Sequence, residues 1–309
     1  MMPGRTQRPP IESSEARLAW LFVAPALVTI VAIAFLPLAG TFWESLHHHD
    51  LRMPWLGRPF VFLAHYTAAF RDPRFIASLA HAAFFTIASV AVELAAGLVL
   101  ALALNAAYRG RGLVRVAVLL PWAIPTVVVA LLWRFMFESE AGVVNAVLGA
   151  VGLMDPGRPF VWLIHSSAAW VPVILADAWK MTPFVALLLL AGLQNIDPAL
   201  YEAASLDGAS PWRQLVEITL PLLEPAIVVA VIFRMLDAFR VFDLIYVLTG
   251  GGPGTSTEPI SLYAFNALLQ NLRFGYGSAL SMIVFLITFV LAAVYIRLLG
   301  ASLTGGRDR

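Results

Sequence analysis

The chain contains no cysteine. That excludes a disulfide framework, a thiolate nucleophile and a cysteine zinc site. Lysine is nearly absent as well: Lys180 is the only one among 20 basic residues. A phosphate-binding P-loop needs a lysine after a glycine-rich run. Lys180 sits in Ala178-Trp179-Lys180-Met181, with no such run, so the chain is not a P-loop ATPase. Any ATP spent on its work must be hydrolysed by a partner. Charge is scarce too. Asp, Glu, Lys and Arg make up 13% of the chain, against about a quarter in a soluble domain. The net charge of +1 offers no footprint for nucleic acid. Apolar residues fill the place of the missing charge: 60% of the 309 residues are hydrophobic, and mean hydropathy is +0.83.

A helical span needs about 20 apolar residues to cross the hydrocarbon core. Only helices and closed barrels satisfy the backbone there. The apolar runs are continuous rather than alternating, which selects helices. Six transmembrane helices are expected, at 18–43, 79–107, 114–137, 168–193, 222–246 and 277–299. The fold class is thus all-α integral membrane. A tail at 1–17 precedes a transmembrane domain at 18–299, and a second tail covers 300–309. The first apolar run is too long for a signal-peptide core and reads as an uncleaved helix.

Arginines near span ends set the orientation. One side carries Arg5, Arg8, Arg17, Arg109, Arg111, Arg115, Arg213, Arg297, Arg307 and Arg309. The other carries fewer: Arg52, Arg58, Arg71, Arg74, Arg158 and Arg273. Both termini are therefore expected in the cytoplasm, in a bacterial inner membrane. The longest cytoplasmic loop is then 194–221, and the outer loops are 44–78, 138–167 and 247–276. His47-His48-His49 reads as a solvated loop rather than a metal site, since consecutive side chains diverge. Gly250-Gly251-Gly252-Pro253-Gly254 reads as a turn leaving the fifth span, because no Lys or Ser/Thr follows at P-loop spacing.

The cytoplasmic loop carries the most specific pattern. It reads Glu202-Ala203-Ala204-Ser205-Leu206-Asp207-Gly208, then nine residues, then Ile218-Thr219-Leu220-Pro221. Asp197-Pro198 supplies an N-cap and a first-turn proline. Gly208 suits a helix end with positive φ, and Ser210-Pro211 starts a second helix. This pattern resembles the EAA loop of ABC importer permeases at every signature position. Leu21-Phe22-Val23-Ala24-Pro25-Ala26-Leu27, Leu119-Leu120-Pro121-Trp122 and Leu248-Thr249-Gly250-Gly251-Gly252-Pro253-Gly254 are similar to the carbohydrate-uptake branch, of maltose-permease first-subunit type. Trp179-Lys180-Met181-Thr182-Pro183-Phe184 and the stretch 236–243 resemble permeases for trehalose and related α-disaccharides. No large inserted periplasmic domain is present.

The resemblance implies a type I ABC importer permease fold and half of a path for sugar uptake. It implies a second homologous permease subunit, two ATPase subunits that hold ATP and magnesium, and an extracytoplasmic sugar-binding protein. The chain itself needs no cofactor, metal or catalytic residue. Glu202, Ala203, Ala204, Asp207 and Gly208 are implied to dock into the ATPase.

Ionisable residues inside spans cost about 2.5–3.5 kcal/mol each, which makes them candidate site residues. The fifth span carries Arg234, Asp237, Arg240 and Asp243 at three-residue steps of alternating sign, and the fourth carries Asp177 and Lys180 at i, i+3. Such neighbours can pair along a helix. They can equally line a polar cavity for sugar hydroxyls, with Trp179 and Phe184 as platforms for a sugar's apolar face. By similarity to the maltose permease, Trp179, Lys180, Phe184, Asp237, Ala238 and Val241 fall at substrate contacts. Glu93 and Arg134 have no evident role, Arg134 reading as a side chain that snorkels. Pro121 and Pro125 are expected to bend the third span. The rival function is an ion-coupled secondary transporter of a polar solute, which leaves the EAA pattern unexplained.

Overall fold

The computed structural model describes residues 13–106, 110–155 and 157–305. Ala107, most of the N-terminal tail and Arg5, Arg8, Arg109, Arg307 and Arg309 lie outside the described residues. The described residues are mostly helical, with two isolated β-bridges, His47 to Phe60 and Asp50 to Arg273.

The first span begins in α1 (Ser13–Ile30), passes a π turn at Val31–Phe35 and continues as α2 (Leu36–Ser45). None of its apolar window is buried within this chain. Among the described residues its main packing partner is the last helix. A short α3 (Ala64–Arg71) leads into α4 (Pro73–Asn105). The second span therefore starts six residues before the expected 79. Asp72 caps it, accepting from the Arg74 amide at 2.9 Å, and Pro73 occupies the first turn, where a missing N–H costs nothing.

The third span is two helices. α5 (Arg111–Ala123) and α6 (Thr126–Met136) meet at a bend of 87°. Pro125 forces it: the residue before a proline is pushed out of the helical region, and Ile124 is extended at φ −74, ψ 134. Pro121 stays inside α5. Next come α7 (Val143–Ala150) and the fourth span, α8 (Trp170–Leu193).

The expected helical hairpin follows as α9 (Pro198–Leu206) and α10 (Pro211–Gln214). Asp197 accepts from the Ala199 amide at 2.9 Å, Gly208 ends the first helix at φ +77, and Ser210 accepts from the Arg213 amide at 3.3 Å. The second helix does not stop at Pro221. It passes a π turn at Leu215–Thr219 into α11 (Leu220–Ala238), making one continuous run, Pro211–Ala238. Such local π adjustments let a membrane helix pass a proline.

The fifth span then departs from the expected 222–246. It breaks after Ala238 and resumes as α12 (Asp243–Leu248). The glycine turn follows α12, with positive φ at Gly250, Gly251 and Gly254. Then come α13 (Ile260–Phe265), a π turn at Asn266–Gln270 and α14 (Phe274–Gly305).

The helix α4 and the helix α8 form the spine. Gly97 permits this: a Cβ there would lie 2.7 Å from Val185 Cγ1. Three apolar clusters surround the spine. One joins α4, α6, α8 and α12 around Phe85, Val129, Val173 and Ile245. One joins α4, α13 and α14 around Phe75, Ile260 and Leu280. The third joins α4, α8 and α11 around Leu104, Leu189 and Leu223.

Candidate functional site

The two helix breaks meet beside α8, where α6 packs on α12. Between them lies a polar cavity of about 190 Å³, lined by Thr126, Asp177, Lys180, Met181, Asp237, Ala238, Arg240, Val241, Asp243 and Leu244. The start of α6 supplies Thr126. The helix α8 supplies Asp177, Lys180 and Met181. The end of α11, the break itself and the start of α12 supply the rest.

Each break leaves backbone groups without helical partners, and nearby charges meet them. Lys180 Nζ donates to the Ile124 carbonyl at 2.8 Å and the Trp122 carbonyl at 3.4 Å. It thus sits at the C-terminal end of α5, where a cation is favoured. Arg240 Nε donates to the Leu236 carbonyl at 3.1 Å near the end of α11. Asp243 begins α12, its Oδ1 accepting from the Leu244 amide at 3.0 Å.

Behind the cavity lies a buried ionic cluster. Arg234 is 1% exposed and Glu93 0% exposed. Arg234 grips Glu93 with two N–H groups, Nε to Oε2 and Nη2 to Oε1, the latter at 2.7 Å. Nη2 also donates to Asp177 Oδ2 at 2.9 Å, and Nη1 to Asp237 Oδ2 at 2.6 Å. The Ser89 hydroxyl bridges Glu93 Oε1, at 2.7 Å, and Asp177 Oδ2. One guanidinium therefore ties α4, α8 and α11 together.

The expected charge ladder is corrected here. Arg234 and Asp237 do pair at i, i+3, but the helix ends at Ala238, so Arg240 and Asp243 belong to the break and to α12. Asp177 and Lys180 do not pair. Asp177 turns to Arg234 and Lys180 to the α5 carbonyls. Asp237, Ala238, Arg240, Val241, Asp243 and Lys180 come together on the cavity wall. Arg234 lies behind it. Trp179 and Phe184 lie elsewhere: Trp179 lines an apolar notch of about 490 Å³ with Trp133 and Pro121, and Phe184 stacks on Trp122 at 6.0 Å. Glu93, given no role from sequence, is the most buried carboxylate of the cluster and takes two of the bonds from Arg234. Its signal was a lone carboxylate in an apolar run, which names no partner. Arg134 is exposed and reaches the Val247 carbonyl at 3.4 Å.

At the α9–α10 hairpin, Glu202, Ala203, Asp207 and Gly208 are exposed and Ala204 is half-buried. Gln214 Nε2 holds the turn, donating to Ser205 Oγ at 2.9 Å and to the Ala209 carbonyl at 3.3 Å. Two apolar side chains project there that sequence reading passed over: Leu206, 90% exposed, and Trp212, 72% exposed.

At the opposite end, the histidines are not a free solvated loop. His49 bonds Glu44 through Nδ1 and receives Arg58 Nη2 at 2.8 Å on Nε2. His47 Nδ1 bonds the Trp43 carbonyl at 2.8 Å, and His48 stacks on His65. Arg74 forks onto Glu258 at 2.7 and 2.8 Å. Asp72 Oδ2 receives the Tyr263 hydroxyl at 2.5 Å and the Tyr276 hydroxyl at 3.2 Å.

Comparison with known proteins agrees with this architecture. Residues 93–301 match the family described as the binding-protein-dependent transport system inner membrane component. The trehalose/maltose transport system permease protein MalF of Thermococcus litoralis is 44% identical, over 92% of this chain and 94% of its own. The trehalose transport system permease protein SugA of Mycobacterium tuberculosis is 39% identical, over 95% and 92%. Among solved structures, a bacterial ABC transporter involved in import of the acidic polysaccharide alginate superposes with a TM-score of 0.78 at 24% identity, covering 93% of this chain and 96% of that one. The alginate transporter in complex with a pentasaccharide-bound periplasmic protein gives 0.75 at 25% identity, over 91% and 93%. None of these likenesses favours the ion-coupled rival. The EAA pattern, the helical membrane fold and these matches together place the chain in the family of binding-protein-dependent transport system inner membrane components, as a multi-pass permease subunit of an ABC importer.

Proposed function

We propose that this permease imports an α-linked disaccharide of the trehalose or maltose type, and that the polar cavity is its share of the sugar path. The observation that carries the reading is the meeting of two broken helices at one pocket of charge. Transporters build mid-membrane sites from discontinuous helices. Asp177, Asp237 and Asp243 accept from sugar hydroxyls, and Arg240 and Lys180 donate to them. The likeness to MalF and SugA along nearly the whole chain supports the disaccharide. The cavity, at about 190 Å³, is below the roughly 300 Å³ at which small-molecule pockets begin. A second, homologous permease subunit completes it and covers the apolar first span.

ATP is hydrolysed by two partner subunits, one of which docks on the α9–α10 hairpin of this chain. Glu202 pairs with a cation there, the small Ala203 and Ala204 allow close approach, Asp207 and Gly208 form the docked turn, and Leu206 and Trp212 fill apolar pockets of the partner. This puts the hairpin and both termini in the cytoplasm. A binding protein delivers sugar from outside. The chain acts as a non-catalytic subunit.

The test is ATP hydrolysis by the complete importer in lipid, with binding protein and trehalose, maltose or glucose. Stimulation that needs both the binding protein and a disaccharide is expected. Stimulation by glucose alone would overturn the substrate assignment.

A further inference from the structure

Resting on the cavity as the sugar path, we propose that Arg234 and Glu93 are positioning residues that aim Asp237 at the sugar without touching it. Arg234 is 1% exposed, and each of its three guanidinium nitrogens is engaged by a carboxylate of the cluster. Asp237 differs: its side chain is 60% exposed. One bond fixes it, from Arg234 Nη1 to Oδ2 at 2.6 Å. Among the described residues its Oδ1 has no hydrogen-bond partner, which leaves that oxygen free for a hydroxyl in the cavity.

Glu93 makes this orientation specific. A guanidinium is a rigid planar fork. Glu93 takes one edge with both oxygens, through Nε and Nη2, and so fixes the plane. The remaining nitrogen, Nη1, then points at Asp237. Without Glu93, the guanidinium is free to swing its paired edge onto Asp237 and occupy both carboxylate oxygens. Glu93 also shares the positive charge. Arg234 faces three carboxylates, so no single one is neutralised and Asp237 remains a strong acceptor. A cluster that served only to join α4, α8 and α11 has a cheaper apolar substitute, because buried ion pairs often stabilise no better than well-packed hydrophobic residues. The exposed carboxylate at its edge gives the ions a use that an apolar trio lacks.

The test is a double-mutant cycle between Arg234→Lys and Asp237→Asn in the full importer, with its binding protein, in liposomes. The readout is the trehalose concentration that half-saturates uptake of labelled trehalose, together with the maximal rate per assembled complex. Lysine keeps the charge but lacks the fork. If Arg234 acts through Asp237, Arg234→Lys raises the half-saturating concentration about tenfold alone but less than about twofold in the Asp237→Asn background. The maximal rate changes less than the half-saturation does. An equal factor in both backgrounds would overturn the proposal and make Arg234 a structural clamp. If Arg234→Lys does not assemble, Glu93→Gln replaces it, since Gln cannot accept with both atoms; the same non-additivity is expected and its absence overturns the proposal. Wild-type half-saturation in Asp237→Asn alone would sink both this proposal and the cavity reading. An effect of Asp237→Asn combined with full additivity would sink the positioning role only.

Discussion

Single residues in this protein are placed by what their neighbours leave unsatisfied. The end away from the hairpin shows it, beyond the spans. Burial works to raise the Asp72 carboxyl, but the Tyr263 hydroxyl, the Arg74 amide and the Tyr276 hydroxyl outweigh it and hold it below its ordinary value. Asp50 is lowered to about 2, chiefly by the hydrogen bond from the Arg52 side chain. A carboxylate lowered in the folded state contributes stability above its unfolded value and loses it as pH falls through the folded one. For Asp50 that window runs between about pH 4 and about pH 2. The Leu51 amide bonds the Leu272 carbonyl at 3.0 Å beside it. Its hydrogen-exchange protection, relative to Asp50→Asn, is expected to persist down to about pH 4 and fall below. Loss already at neutral pH would contradict the assignment. Tyr263→Phe removes the short bond to Asp72 and is expected to lower stability by about 1–3 kcal/mol, since it leaves a carboxylate oxygen short of a donor. Thermal unfolding of the detergent-solubilised complex measures it.

At the scale of elements, the long apolar runs made the spans readable, because only helices and closed barrels satisfy a backbone in lipid and continuous runs exclude the barrel. Starts and breaks were less legible. Asp72-Pro73 carries the same start chemistry as Asp197-Pro198, yet the second span was expected at 79, because hydropathy rises only after Arg74. The 87° bend was announced by Pro125. The break at 239–242 had no such signal: Phe239, Arg240, Val241 and Phe242 include neither Gly nor Pro. Tertiary packing sets it, with Val241 and Leu244 buried in the cluster around α8. The pairing of Glu93 with Arg234 spans 141 residues, and local spacing carries no information at that range. Two substitutions test the elements. Gly97→Val places side-chain carbon against Val185, 2.7 Å from a Cβ at that site. Overpacking of this kind costs roughly 1–3 kcal/mol, so the complex is expected to melt earlier. Lys180→Met strips the donor from the α5 carbonyls. It is expected to destabilise by about 1–3 kcal/mol and to speed hydrogen exchange around 120–126. Unchanged exchange there would show that Lys180 does not hold the bend.

For the whole molecule, the chain reads as half of a machine. Its first span finds little cover within the chain, its cavity is small, and its exposed hairpin projects Leu206 and Trp212. The EAA spacing made the hairpin legible because a short helix–turn–helix is written in local chemistry: Asp197, Pro198, Gly208 and Ser210. The two apolar knobs were not read, since exposure depends on the fold. If the hairpin transmits ATP-driven motion, Glu202→Gly is expected to uncouple the importer, lowering uptake by at least about tenfold, as loss of a charge-assisted contact predicts. Uptake and ATP hydrolysis measured together would show it. Transport at the wild-type ratio of sugar to ATP would contradict it.

The most direct test of the central claim, that the polar cavity is the sugar path, is uptake of labelled trehalose into liposomes by the complete importer carrying Asp237→Asn. The account predicts an assembled complex whose half-saturating trehalose concentration rises by about tenfold, the loss of one charge-assisted acceptor. Uptake indistinguishable from wild type across the concentration range would contradict it.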